Sequence, residues 1–187
     1  MRRALLVDGR EVVLRPIESG DRDAFLAFHD GLSEEARYFR YFTARRSLPE
    51  RELRHYLEVD QRDHAGLVAL VGGALVGHAL YDRHPDTADA EVALEVADAL
   101  QGHGVGTLML EELAELAREA GVARFLAYVL PGNRRMLEVF RDLGFAERAT
   151  FEDGVVRVEL ELGDRARFDV SHRVREQRAG APGPRRP

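Results

Sequence analysis

The segment Gln101-Gly102-His103-Gly104-Val105-Gly106-Thr107 concentrates residue types suited to holding phosphate. It follows a strand-like stretch, Ala90 to Val96, and opens a stretch with helical period. A helix N-terminus exposes unpaired N–H groups and a partial positive charge. Glycine at 102, 104 and 106 removes the Cβ atoms that would keep an anion off the backbone. Together these features make a place for a phosphate group. The spacing is neither G-x-G-x-x-G nor a Walker A loop, and a glycine-rich helix start of purely structural use looks the same. Two carboxylates, Glu91 and Glu95, lie just upstream, four residues apart. In a strand without a bulge they share one face.

Other chemistries are excluded by composition. The chain has no Cys, which removes disulfides, thiolate zinc sites and thiol nucleophiles. It has no Lys, so all 27 basic residues are Arg, and a P-loop lysine or a Schiff base is impossible. Serine occurs only at 19, 33, 47 and 171, and none sits in G-x-S-x-G. The seven His show no metal-ligand spacing, and no metal is expected. The formal charge is −6; residues 163–187 carry a net +4, leaving −10 for the rest. An acidic body of this kind argues against nucleic-acid binding and favours cationic partners.

The elements that must position these groups follow from periodicity. Glu11 to Pro16 reads as the first strand, and Asp21 to Asp30 as a helix. Ser33 caps a short helix reaching about Tyr41, and Pro49 to Glu58 forms another. Gly66 to Val71 and Ala74 to Arg83 flank Gly72-Gly73 as a hairpin, and Ala90 to Val96 completes a meander. Gly104 to Ala120 is a helix, Arg124 to Leu130 a strand, and Asn133 to Leu143 a helix. Ala146 to Phe151 and Val155 to Leu162 flank Asp153-Gly154 as a second hairpin. A right-handed crossover makes Ala90–Val96 and Arg124–Leu130 a parallel pair. The fold class is therefore α+β: a mostly antiparallel sheet of about seven strands, with its fourth and fifth parallel, and flanking helices.

Gln101-x-x-Gly104-x-Gly106 after a strand, then Asn133, then Phe140-x-x-x-Gly144-Phe145, resembles the GNAT superfamily of acyl-CoA-dependent N-acyltransferases over residues 11 to 162. The opening segments, Leu14-Arg15-Pro16-Ile17, Asp21, Leu32-Ser33, Tyr38-x-Arg40-Tyr41-Phe42 and Val59-Asp60, look like its bacterial protein lysine acetyltransferase branch.

The resemblance implies acetyl-CoA as acyl donor, lying where the fourth and fifth strands splay apart. It places the diphosphate on Gln101, Gly102, His103, Gly104, Val105, Gly106 and Thr107, and pairs the pantetheine arm with the backbone of Leu94, Glu95 and Val96. It sets Asn133, Met136 and Phe140 against the cofactor; helix capping and core packing are the plain alternatives for Asn133 and Phe140. The reaction implied is direct attack of an amine on the thioester. A lysine-type amine, with a pKa near ~10.4, must first give up a proton. Glu91, in the context Ala90-Glu91-Val92-Ala93, matches the family's base, with Glu95 in reserve; a solvated strand residue is the alternative for Glu91. Many members carry a tyrosine, the acid for the leaving thiolate, where this chain has Phe140; Tyr128 and Tyr81 are read as structural, with a substitute acid as the alternative. The acceptor implied is a protein lysine. A small amine, or a non-catalytic acetyl-CoA sensor, are the rivals.

Arg45, Arg46, Arg51 and Arg54 form a basic run, read first as a solvated helix face and otherwise as a contact for the cofactor's 3′-phosphate or an acidic partner. Residues 1–162 are expected to form one domain and 163–187 an Arg-rich disordered tail. The apolar run Ala4 to Val7 is too short for a signal peptide, no stretch reaches the ~20 residues of a membrane span, and a cytoplasmic monomer or homodimer is expected.

Overall fold

The computed structural model describes residues 1–43, 46–143 and 148–163. Eight strands form one sheet in the order β1-β2-β3-β4-β5-β6-β8-β7. In chain order they are β1 (Arg2–Leu5), β2 (Glu11–Pro16), β3 (His64–Val71), β4 (Ala74–Arg83), β5 (Asp89–Val96), β6 (Arg124–Val129), β7 (Arg148–Glu152) and β8 (Val155–Glu161). The helices are α1 (Arg22–Gly31), α2 (Glu34–Tyr41), α3 (Glu50–Leu57), α4 (Val105–Glu119) and α5 (Arg134–Asp142). Among the described residues only β5 and β6 run parallel, joined through α4, as expected. The sheet has one strand more than expected, because Arg2–Leu5 pairs with β2 as an edge strand. The expected fourth and fifth strands are thus β5 and β6. Residues 164–187, Arg45, and the Gly144-Phe145-Ala146 part of the motif and second hairpin lie outside the described residues.

Alternation along the strands divides the core between the two faces of the sheet. On one face α4 buries Val105, Met109, Leu110, Leu113, Ala114 and Ala117 against Leu14, Ala79, Val92 and Phe125. On the other, α1 and α3 bury Phe25, Phe28, Leu53, Tyr56 and Leu57 against Val68 and Leu80. Leu53, Tyr56 and Leu57 recur at i, i+3 and i+4, so α3 presents one apolar stripe to the sheet. The turn into α1 is fixed by charge. Arg15 at the end of β2 grips Asp21 with both guanidinium nitrogens, at 2.7 and 2.5 Å, while Asp21 also accepts the Glu18 amide at 2.9 Å. These contacts hold the Asp21 carboxyl below its ordinary range; the Arg15 hydrogen bonds lead, against the opposing effect of burial. No helix of the described residues is long and apolar enough to cross a membrane.

The feature that positions the site is a divergence. β5 and β6 pair only over Asp89↔Arg124, Ala90↔Phe125 and Glu91↔Leu126. Beyond that rung β5 stays with β4 as far as Val96, and β6 stays with β8 as far as Val129. The two strands therefore part as a V, and backbone groups along its inner edges lack a strand partner.

Candidate active site

A cleft of about 1920 Å³ occupies the V and the ground before it. Its walls come from Val92 to Val96 on β5, Ala127 to Val129 on β6, the loop into α4, and the first turns of α5.

The loop makes the floor. A 3₁₀ turn, Asp98–Leu100, follows β5. Ser33 ties it to the start of α2, its amide and hydroxyl donating to the Asp98 carboxylate at 2.9 and 2.6 Å. Gly102 and Gly104 then take positive φ of 77° and 92°. Those left-handed turns cost a residue with a side chain roughly 1–2 kcal/mol. They allow the chain to enter α4 with no side chain capping it. The first-turn amides of α4 have no side-chain cap and lie at the cleft lined by Gly102, Gly104, Gly106 and Thr107.

The three glycines do not share one role. A Cβ on Gly102 or Gly104 would meet nothing within 4 Å, whereas one on Gly106 would lie 3.3 Å from Leu94 Cδ1 and 3.8 Å from Val96 Cγ2. Gly106 therefore keeps the wedge between β5 and α4 clear. Val105 is fully buried and sits under the floor rather than on it.

Two floor side chains are already engaged. Gln101 donates to the Val96 carbonyl at 3.1 Å and accepts from Arg135 at 2.5 Å, so it fastens the loop to both walls. His103 lies in the loop with its side chain 35% exposed. Its ring bridges the Gln101 carbonyl (3.0 Å) and Asp8 (3.5 Å), docking the β1–β2 turn beside the floor.

On the far wall Asn133 caps α5, accepting the Met136 amide at 3.2 Å, and faces the cleft from there. Met136 is half-buried, and Phe140 is a core residue that reaches the cleft surface. Tyr81 is buried and donates to the Arg62 carbonyl at 2.6 Å, away from the cleft. Tyr128 is 39% exposed and lines the cleft. The cationic side chains on the walls include Arg2, Arg3, Arg134 and Arg135. Arg46, Arg51 and Arg54 stand exposed elsewhere, as a solvated face.

The two glutamates share a face, since the β4–β5 register runs without a shift from Gly77↔Val96 to Arg83↔Ala90. Their surroundings differ. Glu95 is buried on the cleft wall, with Tyr41 donating to it at 3.2 Å and the His78 ring nitrogen Nδ1 3.4 Å away. Burial alone would raise its pKa, but the His78 contact and the Arg40 charge outweigh burial and hold it below the ordinary range. Burial likewise keeps His78 neutral to lower pH than usual. Tyr41 also reaches His29 at 3.3 Å, so Glu95 belongs to a buried polar network spanning α1, α2, β4 and β5. Glu91 is exposed, on the last paired rung before the V opens, outside the cleft wall itself. Across β4 it faces Asp82, which is held by His55 and His64. The sequence did not announce Asp82, His29, His78 or Arg135. Each acts through partners more than ten residues away, and no local spacing encodes that.

Residues 28–145 match the family model described as acetyltransferase (GNAT) family. The acetyltransferase Pat of Mycolicibacterium smegmatis is 35% identical over 158 residues, covering 82% of this chain and 46% of Pat. The chain thus spans about half the length of that relative. The GNAT domain of S. lividans PAT superposes with a TM-score of 0.81 at 37% identity, over 86% of this chain and 96% of that one. The protein yncA of Salmonella typhimurium, solved with its cofactor acetyl-CoA, shares the fold at 20% identity with a TM-score of 0.67, covering 83% and 96% of the two chains.

Proposed function

The chain belongs to the GNAT acetyltransferase family, and from that premise we propose that it moves an acetyl group from acetyl-CoA to the side-chain amine of a protein lysine. The observation that carries this reading is the V between β5 and β6 with an uncapped helix N-terminus at its mouth. The diphosphate rests on the amides at the start of α4, near Gly102, Gly104, Gly106 and Thr107. The pantetheine arm runs into the V and pairs with the free edge of β5 around Leu94. Val96 contributes less to that edge, because its carbonyl already accepts from Gln101. Asn133, Met136 and Phe140 close the other side. The thioester then lies near the apex of the V.

Glu91 is the general base. It stands at the apex on the face opposite α4, and no hydrogen bond or ion pair among the described residues engages it. It takes the proton of the acceptor ammonium, directly or through water. The freed amine attacks the thioester carbon; the C–S bond breaks, and the amide and CoA thiolate form. A thiol of reference pKa ~8.5 leaves without a strong acid, which suits Phe140 at the position where many members carry tyrosine. Tyr128 brings a phenol to the cleft wall as a substitute acid for the leaving thiolate. Glu95, tied up by Tyr41 and His78, shapes the wall rather than moving protons. The net −10 of residues 1–162 draws cationic acceptors, and the relatives named Pat support a protein as acceptor.

Isotope-labelled acetyl-CoA, incubated with the chain and either a cell lysate or a panel of small amines, tests the reading. Labelled lysines in proteins, found by mass spectrometry, are expected. Label confined to small amines would move the acceptor to that class. Binding without CoA release on any acceptor would leave only a sensor.

A further inference from the structure

His55 on α3, His64 at the start of β3 and Asp82 near the end of β4 meet on the sheet face that carries Glu91. Asp82 divides its two oxygens between them. Oδ1 lies 2.6 Å from His64 Nδ1, and Oδ2 lies 3.0 Å from His55 Nε2. The other nitrogen of His64, Nε2, is 2.6 Å from the carbonyl of His55. A carbonyl only accepts, so Nε2 carries a proton. The neutral ring would then turn a lone pair toward a carboxylate oxygen 2.6 Å away. A second proton converts that repulsion into attraction. The approach is too oblique for a well-directed hydrogen bond, so charge carries the contact.

These ligand-type atoms lie within 4.8 Å of one another, which raises the question of a metal ion. The ring stacking answers it. The two imidazoles are 4.2 Å apart, centroid to centroid, with planes only 19° from parallel. A metal must lie in the plane of each imidazole it binds, along the nitrogen lone pair, and stacked rings share no such plane. A carboxylate reaching across both edges fits the arrangement, and an ion does not.

The cluster has a path to the acceptor opening. Tyr56, next to His55, lies under the Arg40 guanidinium at 5.6 Å, and Arg40 lines the cleft beside Glu95. We propose that His55, His64 and Asp82 are positioning residues: the His64 imidazolium on β3 holds Asp82 of β4 where its second oxygen meets His55 Nε2, this bridge locks α3 onto the sheet, and α3 in turn holds the Arg40 side of the acceptor opening in place beside Glu91. The link to the acceptor rests on the function proposed above; the lock itself does not.

Several charged groups surround His64. His55 faces it from α3, and Asp82 with the main chain at Tyr81 from β4. Asp60, in the loop before β3, accepts the His64 amide at 2.9 Å. The Asp63–Arg83 pair, at 3.2 Å, closes that end of the ladder, and Glu91 stands across from Asp82 on β5. Burial opposes the charged ring, but Asp82 and the His55 carbonyl outweigh burial and raise its pKa above the ordinary value. A raised histidine pKa means that the lock is complete below the unfolded value of about 6.5 and is lost as pH rises through the folded one.

Backbone amide exchange of residues 53–57, followed by NMR on the full chain from about pH 5.5 to about pH 9 and corrected for intrinsic rates, reads the lock directly. Protection of α3 is expected to fall about tenfold across that range in the wild type, the size of one charge-assisted contact, and to stay flat in H64Q. Protection independent of pH in the wild type would overturn the proposal without needing any variant. A rate assay with a lysine-containing peptide reads the second half. The KM of H64Q and of D82N for the peptide should exceed that of the wild type by about tenfold at low pH and converge with it at high pH, with kcat within about twofold. The ratio to the wild type cancels the titration of the acceptor amine. A KM ratio that does not change with pH would reduce the cluster to a structural contact and overturn the positioning role. If the wild type turns over no peptide at all, the proposed acceptor fails while the exchange result still decides the lock.

Discussion

Replacing Gly104 by valine separates the two things this residue does. Its φ of 92° lies in the left-handed region, and a Cβ there meets nothing within 4 Å. No collision complicates the reading, so the cost is torsional, roughly 1–2 kcal/mol with a β-branched residue at the upper end. If the turn holds, the free chain loses that amount of stability. At ~2–4 °C per kcal/mol for a chain of this size, the melting temperature falls about 2–8 °C. If the turn gives way, the amides at the head of α4 swing off the cleft floor. Each charge-assisted bond to phosphate is worth ~1.5–3 kcal/mol, so the affinity for acetyl-CoA then falls at least about tenfold. Calorimetry of melting and of acetyl-CoA binding distinguishes the two cases. Valine at Gly106 acts differently, since its side chain enters the wedge against Leu94 and Val96 and forces β5 and the start of α4 apart. A chain carrying valine at both positions that still binds acetyl-CoA as the wild type does would refute the assignment of the floor.

Three further outcomes follow from the same geometry. Glu91→Gln should lower kcat by about 10²–10⁴, the usual contribution of a general base, and leave acetyl-CoA affinity unchanged; steady-state rates with matched binding titrations check this. Glu95→Gln removes a buried carboxylate that Tyr41 and His78 hold, and should cost about 1–3 kcal/mol at neutral pH. Because the folded pKa of Glu95 is depressed, its stabilisation is present above the unfolded value near ~4.5 and disappears as pH falls through the folded one, so denaturation curves of wild type and variant should converge in acid. Asn133→Ala deletes the α5 cap and should cost roughly 1 kcal/mol, seen as a lower midpoint in urea.

What the chain disclosed of itself depended on how local each signal was. The hairpins at Gly72-Gly73 and Asp153-Gly154, the apolar stripe of α4 and the crossover between β5 and β6 are written in short spacings, and the structure has them. β1 is written in contacts instead. It is four residues long at a sheet edge, and Arg2 anchors it to Glu111 and Glu112 on α4 at 3.6 and 3.4 Å. The place of the cleft floor was legible because glycine and strand-to-helix order carry it. How the glycines share the work was not, since the packing role of Gly106 depends on Leu94 and Val96. Glu91 and Glu95 look alike in sequence. Only the fold gives one a Tyr41–His78 cradle and leaves the other open to solvent beside Asp82.

The most direct test is a crystal structure of the chain with coenzyme A. Density is expected with the diphosphate on the amides that open α4, the pantetheine arm paired to β5 in the V, and the sulfur near the rung of Glu91 and Leu126. A coenzyme bound elsewhere, or a V closed by strand pairing beyond that rung, would contradict the account.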